Sequence, residues 1–159
     1  MEKILVTGGA GYIGSVLVGY LLRRGYHVTV LDNLLYGQVT LLHYCTHPNF
    51  HFVQGDVRNE GLMRKLLKTH DAILPLAAVV GMKACDRDPL MAQSVNFDAI
   101  VLLNSLRSPE QKVIFPCTNS GYGTKSGDSY CTEETPLEPI TLYGITKVNA
   151  AKKQSGSIS

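Results

Sequence analysis

The chain has 159 residues, 45% of them apolar, which is enough to bury one full core, so one compact domain is expected. Its 18% of charged residues and net charge of +2 supply no basic field for a phosphate backbone, and no Lys/Arg cluster interleaves with aromatics, so nucleic acid is not an expected partner. The longest apolar stretch, Ala72–Met82, is interrupted by Pro75 and too short to cross a bilayer, and no signal peptide precedes the first strand, so a soluble cytoplasmic protein without membrane contact is expected.

Lys3–Thr7 reads as a short buried strand, after which Ile13, Val16, Leu17, Tyr20 and Leu21 recur at helical spacing until Gly25 ends the helix. Arg23 and Arg24 fall in its last turn, where positive charge suits the negative end of the helix dipole. His27–Leu31 is a second strand ending at Asp32. A third strand at His51–Gln54, a helix around Leu62, Met63, Leu66 and Leu67, and a fourth strand at Ala72–Ala77 repeat the alternation. A helix from about Leu90 to Leu106 and a fifth strand at Lys112–Cys117 extend it, and Thr118–Ile140 is a long Gly/Ser/Thr/Pro-rich loop. Strands that are apolar throughout, separated by amphipathic helices, indicate an α/β fold with a doubly wound parallel sheet in the order 3-2-1-4-5.

Cys45, Cys85, Cys117 and Cys131 include no Cys-x-x-Cys pair and read as buried free thiols. His43 and His47 have helical ligand spacing, but their segment runs straight into Pro48, and no metal is expected.

Gly8, Gly11 and Gly14 lie in the first strand-to-helix turn, Thr7-Gly8-Gly9-Ala10-Gly11-Tyr12-Ile13-Gly14. Side chains there would block a diphosphate from the backbone N–H groups, including those of Tyr12 and Ile13 at the positive end of the helix. Asp32 follows Gly14 by eighteen residues at the end of the second strand, where a carboxylate accepts from the ribose hydroxyls of adenosine. With no Arg directly after it, Asp32 would repel a 2′-phosphate, so NAD is the expected cofactor rather than NADP. A plain turn aspartate and a structural glycine turn are the alternatives.

The glycine turn, Asp32-Asn33, Gly55-Asp56-Val57-Arg58-Asn59, Leu76-Ala77-Ala78, Asn96 and Tyr143-Gly144-Ile145-Thr146-Lys147 stand in an order that resembles extended short-chain dehydrogenases/reductases of the NAD-dependent sugar-nucleotide epimerase/dehydratase type, over residues 2–150. The resemblance implies a Rossmann domain that binds NAD through Gly8, Gly11, Tyr12, Ile13, Gly14, Asp32, Asn33, Asp56, Val57, Ala77, Ala78, Asn96, Tyr143 and Lys147. Asp56 and Val57 would flank the adenine, and Ala77 and Ala78 would line the cofactor near its nicotinamide ribose.

Tyr143 and Lys147, four apart on a helix, present both side chains on one face. A phenol of pKa about 10 is a poor base at neutral pH, and a neighbouring ammonium favours its ionised form. Tyr143 is therefore the expected general acid/base, with Lys147 tuning it and, by the resemblance, holding the nicotinamide ribose. Aligned on Tyr122-Gly123, the family's Ser/Thr falls on Thr118, whose hydroxyl would bond the reacting substrate oxygen, with Ser120 as the alternative. Dehydratases of this type carry Asp-Glu after that Thr; Asn119 and Ser120 stand here, which ranks a nucleotide-sugar epimerase above a dehydratase or reductase.

Residues 1–150 read as the NAD-binding domain and 151–159 as a polar tail, with the family's C-terminal substrate domain absent. A catalytically silent NAD-binding module is the other class of function compatible with these residues. The resemblance also implies that self-association into a homodimer would pair the helices carrying Asn96 and Tyr143.

Overall fold

Period-two burial organises the sheet. The computed structural model describes residues 1–124 and 130–154, so Lys125–Ser129 of the expected Thr118–Ile140 loop and Ser155–Ser159 of the expected 151–159 tail lie outside the described residues. The strands β1 (Lys3–Thr7), β2 (His27–Asp32), β3 (Phe50–Gln54), β4 (Ala72–Pro75) and β5 (Lys112–Val113) form one all-parallel sheet in the order β3-β2-β1-β4-β5, as expected. The helices are α1 (Tyr12–Arg23), α2 (Glu60–Leu67), α3 (Met82–Arg87), α4 (Pro89–Gln93), α5 (Ala99–Leu106) and α6 (Leu142–Gln154).

The chain divides into two compact units. The first, Met1–Ala77 with Leu102–Pro116, holds the sheet. Successive strand residues face opposite sides. Ile4, Val6, Val28 and Val30 therefore pack with Val18, Leu21 and Leu22 of α1, while Leu5, Leu31 and Ile73 pack with Met63, Leu66 and Leu67 of α2 and Leu103 of α5. Each such side chain taken fully from water contributes roughly 1.5–3 kcal/mol.

The second unit, Ala78–Val101 with Cys117–Ser159, is helical in its described part. Within it α6 packs against α3, α4, the π-type turn Ser94–Asp98 and the 3₁₀ turn Asn119–Tyr122. The helix expected over Leu90–Leu106 is thus α4, the π-type turn and α5 in succession, and α3 is an additional element.

β4 and β5 are shorter than the apolar runs suggest, ending at Pro75 and Val113 rather than Ala77 and Cys117. The Ile73 carbonyl accepts from Ile114 N–H (3.0 Å), so Pro75, two residues on, faces the same neighbour and has no N–H with which to continue the ladder. The thiols also depart from expectation: Cys85 is buried on α3, but Cys45, Cys117 and Cys131, on connecting segments, are exposed. Among the described residues, no helix is long and apolar enough to cross a membrane, and no group of His, Cys, Asp and Glu is arranged to hold a metal ion.

Candidate active site and nucleotide turn

The glycine turn at the end of β1 combines two kinds of glycine. Gly8 has φ +68°, and a Cβ there would lie 2.5 Å from Ala77 N and 2.9 Å from Leu76 C, so the turn can seat on the chain leaving β4 only as glycine. Ala77 N–H donates to Thr7 Oγ1 (3.4 Å) at the same contact. Gly14 is buried against Gly9, its Cβ position 2.5 Å from Gly9 Cα. Gly11 differs, because only the Gly8 carbonyl, at 3.2 Å, stands near its Cβ position.

Gly11 caps α1 without a side-chain hydrogen bond, and no acidic residue occupies the first turn. Tyr12 and Ile13 are exposed. First-turn N–H groups have no intrahelical acceptor and carry the positive end of the helix dipole, so this end of α1 is suited to an anion.

Asp32, 7% exposed, is braced beside that turn: Oδ2 accepts from Ala10 N–H (3.0 Å) and Oδ1 from Leu34 N–H (2.8 Å). Leu34 holds φ +55°, a left-handed conformation that costs a branched residue roughly 1–2 kcal/mol and aims its N–H at the carboxylate. Asn33 Oδ1 accepts from Leu35 N–H (3.0 Å), and the Asn33 side chain stands close enough to Asp56 to help lower its carboxyl. Arg58 donates to Asp56 from its backbone N–H and Nε, both at 2.9 Å, and closes an ion pair at 2.6 Å. The Arg58 guanidinium holds the Asp56 carboxyl below its usual range, against the opposing effect of burial. Asn33 and Asp56 are thus brought together, whereas Val57 packs in part against the second core cluster.

The second unit assembles the other expected residues. Thr118 starts the Asn119–Tyr122 turn, its Oγ1 accepting from Ser120 N–H (3.2 Å), and its side chain stands close enough to the Tyr143 phenol to act on it. Ser120 is exposed and meets Thr118 through its backbone. Lys147, one turn after Tyr143, is buried, and desolvation lowers its ammonium to about 8, partly opposed by the Cys117 thiol. Burial raises the Tyr143 phenol, partly offset by the nearby Thr118 side chain, while Cys85 and Cys117 raise it further. The phenol thus stands above its ordinary value, because desolvation of the phenolate outweighs the lowering contribution of Thr118.

Asn96 lies in the π-type turn and is 2% exposed. Its Oδ1 accepts from Val79 N–H (2.8 Å) and its Nδ2 donates to the Val79 carbonyl (2.9 Å) and to Thr146 Oγ1 (3.4 Å). The amide therefore fixes the chain beside Ala78, which is half-buried, rather than standing free. Thr146 bonds back to the Leu142 (2.9 Å) and Tyr143 (3.1 Å) carbonyls. Sequence reasoning did not single out Thr146, Leu34 or Thr7. Thr146 stands directly before Lys147, but back-bonding threonines are common in helices and carry no local signal.

Residues 5–153 match the model of the GDP-mannose 4,6 dehydratase family. A UDP-glucose 4-epimerase of Lactobacillus helveticus is 34% identical over 94% of this chain and 45% of its own length. Among solved structures, the UDP-Glc/GlcNAc 4-epimerase of Campylobacter jejuni aligns with TM-score 0.90 and 28% identity, covering 99% of this chain and 49% of that one. The dTDP-glucose 4,6-dehydratase of Bacillus anthracis, in complex with NAD, aligns with TM-score 0.85 and 30% identity over 96% of this chain and 49% of that one. The chain spans about half the length, or less, of the curated relatives it matches.

Proposed function

The chain belongs to the GDP-mannose 4,6 dehydratase family, of the extended short-chain dehydrogenase/reductase type, and from that premise we propose that it is the nucleotide-binding portion of an NAD-dependent nucleotide-sugar epimerase. The carrying observation is that the turn opened by Thr118 packs on α6 beside Tyr143, with buried Lys147 one turn further along the helix.

The first unit's residues suit a dinucleotide. The open N-terminus of α1 takes the diphosphate, the braced Asp32 carboxylate takes the adenosine ribose hydroxyls, and the Asn33–Asp56 pair lies on the adenine side. A 2′-phosphate would meet the Asp32 charge, which favours NAD over NADP. NAD, when bound, supplies an acceptor for a sugar hydride and the means to return it.

The second unit's residues handle the proton. As a sugar C–H leaves as hydride, Tyr143 takes the proton of the hydroxyl on the same carbon, leaving a ketone; return of hydride to the opposite face and of the proton from Tyr143 gives the inverted alcohol. The Thr118 hydroxyl hydrogen-bonds the reacting oxygen throughout. A neutral phenol cannot take the sugar hydroxyl proton, so Tyr143 acts as the phenolate. Because burial raises the phenol, its own proton must first pass to solvent, and the Lys147 ammonium one turn along α6 would stabilise the phenolate that then accepts the sugar hydroxyl proton. Elimination of water would need a carboxyl acid and base after Thr118, where Asn119 and Ser120 stand, so epimerisation is the better fit. A homodimer through the helices carrying Asn96 and Tyr143, and a cytoplasmic location, belong to the same reading.

The test is to mix the chain with NAD and a panel of UDP- and dTDP-sugars, following reduced-nicotinamide absorbance and sugar configuration by NMR. Inversion that is lost in Tyr143→Phe supports the reading. NAD binding with no hydride transfer to or from any sugar would mark a cofactor-binding module instead.

A further inference from the structure

The Thr118–Tyr143 contact joins groups twenty-five residues apart, and what sets their separation is the fit of the Asn119–Tyr122 turn on α6. Two glycines stand where these elements meet. A Cβ on Gly144, the residue after Tyr143, would lie 2.8 Å from the Ser120 carbonyl oxygen and 3.1 Å from Pro139 Cβ. A Cβ on Gly121 would lie 2.8 Å from Val148 Cγ2. Both glycines are buried, and neither has a positive φ, so the helix and turn conformations do not themselves call for glycine. Alanine is the better helix former, and within α6 Gly144 would be expected to give way to it unless the space of its missing side chain were used.

That space is filled by backbone. The Ser120 carbonyl cannot rotate aside as a side chain would, because the turn is tied at both ends of Thr118: Gly121 N–H donates to the Thr118 carbonyl (3.0 Å) and Ser120 N–H to Thr118 Oγ1 (3.2 Å). Displacing Ser120 therefore displaces the Thr118 hydroxyl. On the helix side, Gly144 N–H donates to Thr141 Oγ1 (3.1 Å), which fixes the first turn of α6 and with it Tyr143.

We propose that Gly144 and Gly121 are positioning residues, whose missing side chains seat the Asn119–Tyr122 turn on α6 and thereby set how closely the Thr118 hydroxyl approaches the Tyr143 phenol. They touch no substrate and act through Thr118. The inference rests on the assignment of Tyr143 and Thr118 as the proton-handling pair, but its test needs no turnover.

The chain has eight tyrosines; labelled with ¹³C at Cζ, each gives one NMR signal, and that of Tyr143 is the one missing from Tyr143→Phe. Thr118→Val, which removes the hydroxyl beside the Tyr143 phenol, sets the reference displacement of this signal. Gly144→Ala is expected to displace it in the same direction, and Thr118→Val added to Gly144→Ala is expected to displace it no further. A folded Gly144→Ala chain with the Tyr143 signal at its original position overturns the proposal, as does a signal that Thr118→Val itself leaves unmoved. Should Gly144→Ala fail to fold, Gly121→Ala probes the same seat against a flexible side chain. It is expected to displace the signal, and Val148→Ala added to it is expected to restore the position; no displacement, or none restored, overturns the proposal. A chain that transfers no hydride yet shows these displacements would refute the epimerase reading and leave the positioning intact.

Discussion

Asn96 holds Val79 by both of its backbone groups, accepting from the N–H at 2.8 Å and donating to the carbonyl at 2.9 Å. A buried amide thus engages both backbone groups of a residue that belongs to no strand or helix, in place of a sheet ladder, with the Cys85 thiol a further donor to the carbonyl (3.3 Å). The arrangement also explains why the π-type turn is tolerated within an otherwise helical run, since such turns re-aim a side chain.

Replacing Asn96 by Leu keeps the volume, strands the Val79 N–H and leaves the Val79 carbonyl with only the Cys85 thiol as donor (3.3 Å). The expected loss is about 2 kcal/mol of unfolding free energy, mostly from the one stranded buried N–H at about 1–3 kcal/mol. Chemical denaturation of the variant beside the parent chain measures it; a change below about 1 kcal/mol would mean that water replaces the amide at low cost.

Gly8→Ala is expected to be the most damaging change in the glycine turn. The added Cβ meets the backbone of Leu76 and Ala77, and the residue sits at φ +68°. A loss of at least about 2 kcal/mol is expected in the same denaturation assay, with Gly11→Ala costing less because its Cβ position is open except toward the Gly8 carbonyl.

Tyr143→Phe removes the proton acceptor and should lower turnover by roughly 10²–10⁴-fold, and Thr118→Val by about 10²-fold, with NAD affinity less affected in each. Steady-state kinetics separate these effects: a fall in kcat with little change in the KM for NAD is expected. Equal losses in NAD binding would instead place these hydroxyls among the groups that hold the cofactor.

Lys147 makes stability depend on pH. Below pH 8 its ammonium is charged in both states, and folding carries the full cost of burying it. Between about 8 and the ordinary value of 10.5 the unfolded chain still holds the proton that the folded chain has released, so stability rises with pH. The recovery across that window is on the order of 3 kcal/mol. The raised Tyr143 phenol acts oppositely: its contribution is present below its ordinary value of 10.0 and lost as pH climbs through the higher folded value. Denaturation of the parent and Lys147→Met between pH 7 and 10 should therefore show the parent gaining stability relative to the variant as pH rises; parallel curves would contradict the burial of a charged ammonium.

Much of the sheet was legible because its signal is local: apolar runs such as Lys3–Thr7 and His27–Asp32 announce strands buried on both faces, and Asp32 after the glycine turn follows from spacing alone. The ends of β4 and β5 were not, since they depend on which neighbour Pro75 faces. Tyr143 and Lys147 could be placed on one helix face, yet the direction of the phenol shift follows from burial by distant segments, which no local spacing reports. The same holds for Asn96, whose position was marked but whose amide is engaged by Val79, and for Leu34, whose left-handed backbone is set by the Asp32 carboxylate rather than by its own type.

Calorimetric titration of the chain with NAD and with NADP, beside Asp32→Ala, tests the central claim most directly. NAD is expected to bind, NADP at least about tenfold more weakly, and Asp32→Ala to weaken NAD while narrowing the difference. Binding of neither dinucleotide, or a preference for NADP that Asp32→Ala leaves unchanged, would contradict it.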